Sequence, residues 1–179
     1  MTNDINQYVK QEIKLRDLLP VFIELDRASQ LKAVQLYPSV IAILKSVVKP
    51  EYINAVEDFD IDLTTAIIEY FKQKIPIDKI MLLLRNEKVD ANPEVIAKYG
   101  KDKIKIRDMK VIFEHLDKQM QTNTPNLYLS VTALIKAVLR EDIELSPEDL
   151  EINDAFELVA YAISKIDINR LQNLFSFLT

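Results

Sequence analysis

Residues 12–30 read EIKLRDLLPVFIELDRASQ, and residues 103–121 read KIKIRDMKVIFEHLDKQMQ. At a spacing of 91 positions, Ile13 matches Ile104, Arg16 matches Arg107, Asp17 matches Asp108, Phe22 matches Phe113, Leu25 matches Leu116, Asp26 matches Asp117 and Gln30 matches Gln121. Similarity at one fixed offset is the mark of a repeated supersecondary unit. The match runs without a gap from 5–85 onto 96–176, with about a third of the pairs identical. Its other dense blocks are LYPSVIAILKSVVK (36–49) with LYLSVTALIKAVLR (127–140), and KIPIDKIMLLL (74–84) with KIDINRLQNLF (165–175). The reading is two tandem copies of one unit, 1–85 and 96–179. The polar, Asn- and Pro-containing stretch between them reads as a linker over 86–95.

Inside each copy the apolar spacing is helical, so the expected fold class is all-α, with four to five short helices per copy. Leu18, Val21, Phe22 and Leu25 share one face at i, i+3, i+4 and i+7. Asp17 and Asp108 stand where a carboxylate favours a helix start. Leu36, Val40, Ile43, Leu44 and Val47 line the next helix, matched by Leu127, Val131, Leu134, Ile135 and Val138. Pro38 is expected to delay the first of these by one turn, Pro125 to mark the start of the second, and Pro50 to end the first. Ser146 and Pro147 read as the start of a short helix. Asp62 and Asn153 are the expected caps of amphipathic helices over 62–75 and 153–166. Asp78 and Asn169 stand near the start of a last short helix in each copy. PEVIAKYG is expected to form a helix closed by Gly100 in the left-handed conformation. Two small helical domains of one kind, packed together or loosely tethered, are the favoured arrangement, with a single interlocked bundle as the alternative.

Composition excludes much chemistry. The chain has no cysteine, hence no disulfide, thiolate or Cys-based zinc site. A single glycine rules out phosphate loops, nucleophile elbows and dinucleotide fingerprints. The polar N-terminus is no secretory signal, and no apolar run reaches the roughly 18 residues of a membrane span. A cytoplasmic protein that does not engage membranes is expected. The net charge is −5, with 12 basic and 14 acidic residues to Asp90 and 11 against 14 thereafter. Without a basic excess in either half, no nucleic-acid partner is expected.

The candidate sites each have a simpler structural reading. The acidic runs EDFDID (57–62) and EDLEIN (148–153) lack the glycine a calcium loop needs for its turn, and serve more simply as charge at helix starts; no metal or cofactor is expected. His115 is the only histidine, with Glu24 at the matching position, and reads as a surface residue. Tyr8 and Tyr99, Tyr37 and Tyr128, and Tyr70 and Tyr161 recur in pairs, suited to half-buried packing or to a protein partner. Arg16 with Asp17, and Arg107 with Asp108, could pair locally at a helix start or grip a partner; Lys45, Lys136, Lys74 and Lys165 read as snorkelling lysines. The residues best placed to meet a partner are Arg16, Asp17, Tyr37, Tyr70, Arg107, Asp108, Tyr128 and Tyr161. No acid, base and nucleophile occur together, so a non-enzymatic binding protein is expected.

Three blocks in order carry a family resemblance. The K-I-R-D start at 105–108, with its spaced Phe and Leu, comes first. A Leu-Ile-x-Ala-Val helix follows at Leu134, Ile135, Ala137 and Val138. A Leu-Val-Ala-x-Ala-Ile helix, at 158–163, then runs into an apolar tail. In this the chain, above all residues 103–179, resembles the tail assembly chaperones of tailed bacteriophages. Those are single units where this chain is doubled, and they carry a glycine turn where this chain has Arg140, Glu141 and Asp142. The resemblance implies no catalysis. It implies transient coating of an aggregation-prone partner with amphipathic helices, the tape-measure protein, inside the host cell. A grooved helical surface suits such a client, and doubling raises avidity. The competing expectation is an acidic inhibitor or adaptor from a mobile element that binds a host factor.

Overall fold

A computed structural model describes residues 4–85, 87–124 and 126–167. Among them the structure is all-α as expected: helices joined by short turns, with isolated β-bridges and no extended sheet. The helices are α1 (Leu19–Leu31), α2 (Leu36–Val47), α3 (Ile61–Lys74), α4 (Ile77–Leu84), α5 (Pro93–Tyr99), α6 (Lys110–Thr122), α7 (Leu127–Val138) and α8 (Ile152–Lys165). Short 3-10 helices precede α1, α3, α6 and α8, at Leu15–Leu18, Pro50–Asp58, Ile106–Met109 and Pro147–Asp149. None is long and apolar enough to cross a membrane.

Several bounds and local bonds fall 91 residues apart. The pairs α1 and α6, α2 and α7, and α3 and α8 begin and end at matching positions. Bridges join Val9 to Val48 and Gly100 to Leu139. Beside them Lys10 N–H donates to Val47 C=O and Lys101 N–H to Val138 C=O, both at 2.8 Å. The helices α1 and α6 both end on a left-handed residue, Lys32 with φ 54° and Asn123 with φ 52°. The expected last helix from Asn169 and the start at Pro125 lie outside the described residues.

Four local expectations are corrected. First, α2 begins at Leu36 rather than a turn later. Pro38 is its third residue, where the missing N–H has no intrahelical partner to lose. Second, the caps of α3 and α8 stand at Asp60, whose carboxylate accepts the Leu63 N–H, and at Glu151, which accepts those of Asn153 and Asp154. Each lies two residues before the expected Asp62 and Asn153, because the helices start at isoleucines that would otherwise be read as the preceding loop. Third, Gly100 is not left-handed: its φ is −87°. It is glycine because a Cβ there would stand 3.0 Å from Ile96 and 3.4 Å from the Tyr161 ring. Fourth, Pro93 to Val95 of the expected linker already belong to α5, capped by the Asn92 side chain.

One continuous apolar core draws on both halves. It runs from Val9, Leu15, Phe22 and Leu44 to Ile135, Phe156 and Ile166. Its centre is α8, which buries Ile152, Ala155, Phe156, Leu158, Val159, Ala160, Tyr161 and Ala162, almost its whole circumference. Such all-round burial marks a helix enclosed by others, here α4, α5 and α7. In contrast α3 buries only Ile67 and Phe71 among its side chains.

Candidate interaction surface

At the start of each half a lysine and an aspartate lock the turn into the first helix. The Asp17 carboxylate accepts the Lys14 N–H at 2.9 Å and pairs with Lys10 Nζ at 2.7 Å. Asp108 does the same with Lys105 N–H at 2.8 Å and Lys101 Nζ at 2.6 Å. That ammonium and the backbone bond hold the Asp108 carboxyl below its ordinary range. Among the described residues the adjacent arginines make no hydrogen bond to these carboxylates, although the Arg107 charge helps to lower the Asp108 pKa. Arg16 instead reaches Asp149, far along the chain, while Arg107 is exposed beside shallow open depressions lined by Lys101, Lys110, Glu114 and Lys136.

The tyrosines divide by role. Tyr70 and Tyr161 donate their hydroxyls to the carbonyls of Lys10 and Lys101, tying α3 and α8 to the segments that lead into their own halves. Burial raises the pKa of both phenols. Lys74 and Lys165 lie over their rings at 5.7 and 5.9 Å, which is a more specific placement than snorkelling. Tyr128 is half-buried with its ring centroid 6.1 Å from that of Phe22, within the fields of Arg16, Asp17 and Glu148. Its counterpart Tyr37 is 63% exposed, bonded at 2.8 Å to Glu57. So the contact between the two halves, the junction, gathers Arg16 and Tyr128, with Asp17 beside them. It leaves Arg107, Asp108 and Tyr37 away from it and uses Tyr70 and Tyr161 internally.

His115 is not a freely solvated residue. Its Nε2 lies 2.7 Å from Ser130 Oγ, which itself bonds the Asn126 carbonyl. Burial, then the nearby Lys118 charge, push the imidazole pKa down. The acidic runs act as caps and bonding partners, and no cluster of three or more His, Asp or Glu among the described residues could hold a metal ion.

Residues not singled out from sequence complete the junction. Leu15 N–H donates to Leu150 C=O at 2.9 Å, Ile152 N–H to Ile13 C=O at 2.8 Å, and Lys14 bridges antiparallel to Glu151. Each donor begins a helix, so each would be orphaned without the other segment. Asp26 caps α7 from α1: its carboxylate accepts the Leu127 N–H at 3.2 Å, and burial raises its pKa despite that bond. Lys79 of α4 pairs with Glu157 of α8, which also accepts the Asn92 N–H at 2.6 Å. The identity of Asp26 with Asp117 was the one available signal, since such bonds join segments 65 or more residues apart.

A separate apolar feature lies on α1. Leu19, Ile23 and Leu31, at i, i+4 and i+12, are 39%, 55% and 57% exposed, and Val34 beyond them is 72% exposed. The matching positions Lys110, Glu114 and Thr122 are polar. Comparison with protein-family models, curated proteins and solved structures gave no match.

Proposed function

We propose that the chain is a tandem duplication of one helical unit that works as a non-enzymatic binding protein. Its client is a protein with amphipathic, aggregation-prone helices. The phage tail assembly chaperone, coating the tape-measure protein in the host cytoplasm, is the role this reading names. The exposed Leu19 and Ile23, one turn apart on α1, with Leu31 beyond the intervening Arg27, carry it. A helix-spaced apolar face left open at the surface is what an amphipathic client helix needs, and clustered exposed apolar residues mark interaction sites more often than scattered ones do. The 91-residue recurrence of bounds, bridges and lysine–aspartate locks supports the duplication. The ionisable groups also favour binding over catalysis: each lock holds its carboxylate in a structural bond.

Co-expression with a long coiled-coil tape-measure protein tests the proposal. A complex that survives size-exclusion chromatography is expected, and Ile23→Asp should weaken it at least tenfold while leaving the far-ultraviolet circular dichroism unchanged. Two separate, non-interacting peaks would refute it.

A further inference from the structure

We infer that the chain self-associates head to tail: the segment 104–109 of one molecule docks on the segment 58–61 of a second, repeating between molecules the junction that already joins the two halves. This inference stands apart from the client proposed above and uses a different surface.

The internal junction is one-directional. The first half supplies Ile13, Lys14, Leu15 and Arg16, and the second receives them with Asp149, Leu150, Glu151 and Ile152. A two-fold arrangement would repeat every contact with the halves exchanged. It does not: the exchanged partners would be Ile106 and Phe59, yet Ile106 is 76% exposed. Leu15, Leu150 and Ile152, by contrast, are at most 1% exposed. The junction is thus heterologous, and a heterologous contact leaves one complementary surface open on each half.

Both open surfaces keep the chemistry of the closed one. Ile104, Lys105, Ile106 and Arg107 stand where Ile13, Lys14, Leu15 and Arg16 stand, and Asp58, Phe59, Asp60 and Ile61 where Asp149 to Ile152 stand. The apolar pair survives as Ile104 with Ile61, and the ion pair as Arg107 with Asp58. The helix-starting N–H groups of Ile106 and Ile61 meet no backbone acceptor among the described residues. Docking would pair them with the carbonyls of Phe59 and Ile104. The same superposition sets Asp117 at the start of α2, where Leu36 is 80% exposed, as Asp26 sits at the start of α7. Ile61, at 82%, is the most exposed large apolar residue described, and the junction explains why an isoleucine stands there.

One substitution makes the contact between molecules weaker than the internal one. Phe22 packs near Phe156, with centroids 6.4 Å apart, but the position matching Phe156 is Thr65. Association is therefore concentration-dependent and reversible. It yields rings if the repeated rotation closes and filaments if it does not.

Sedimentation or mass photometry of the full chain against concentration provides the test, with Ile106→Asp and Ile61→Asp as probes. Both residues are exposed, so both variants should fold, which circular dichroism checks. The wild type should pass from 20.7 kDa to multiples of that mass, and each variant alone should stay a monomer. Mixed together, the two should form a dimer and nothing larger, because each retains one intact surface. Arg107→Glu should dissociate the wild-type assembly, and Asp58→Arg added to it should restore it. A wild type that stays monomeric at its solubility limit overturns the inference. So does an assembly that neither isoleucine variant disturbs, or a variant mixture that gives no dimer.

Discussion

Lys32 ends α1 in the left-handed region, with φ 54°, at the position where α6 uses Asn123. A lysine there carries the Cβ clash that asparagine tolerates and glycine lacks. Lys32→Gly should raise stability by about 0.5–1 kcal/mol in urea unfolding, and no gain would mean the turn relaxes. His115 offers a pH test with a single resonance to follow. Its imidazole should titrate below the ordinary value of about 6.5, because burial disfavours the cation. The unfolded chain then binds the proton more readily than the folded one. The stabilising contribution is full above the unfolded value and is lost as pH falls through about 6.5 toward the lower, folded one. His115→Gln should flatten that slope, and a midpoint at or above 6.5 by NMR would place the ring in solvent. Tyr161→Phe leaves the Lys101 carbonyl without its donor in a buried setting, and should cost about 1–2 kcal/mol in the same unfolding assay.

Helix α8 and its counterpart α3 have the same length and equivalent start positions, yet opposite surroundings. Ile152 is fully buried at the start of one and Ile61 is 82% exposed at the start of the other. Ile152→Ala should cost about 2–5 kcal/mol, whereas Ile61→Ala should stay within about 0.5 kcal/mol, both measured on dilute protein by denaturant unfolding. Equal costs would mean that the two sites are equally packed. Periodicity placed both helices in the sequence, because the 3.6-residue spacing depends only on each segment's own residues. Their caps were misplaced by two positions because Asp60 and Asp62, like Glu151 and Asn153, offer competing acceptors. Which one closes a bond depends on where the preceding turn lets the helix begin. Gly100 differs: the tightest contacts a Cβ would meet there are with Ile96 of its own helix, and Tyr161 of another helix adds only a looser one.

The molecule as a whole buries one core, in which Phe22 of the first half packs near Phe156 and Tyr128 of the second. Unfolding should accordingly be a single transition, with calorimetric and van't Hoff enthalpies equal; two resolved transitions would show halves that fold apart. Asp17 and Asp108 pair with Lys10 and Lys101 rather than with the expected neighbouring arginines, but the all-α class and the register of 91 residues were legible from the sequence. They follow from local periodicity and from identities between its own segments. Arg16 and Arg107 look alike in that record, as do Ile61 and Ile152. Only the tertiary structure decided that Arg16 and Ile152 lie inside a junction while Arg107 and Ile61 lie on open surfaces. The physical reason is that a one-directional contact uses each of two matching surfaces once. Which one it uses is set by how the halves pack, a long-range property that cannot be read from either matching stretch by itself.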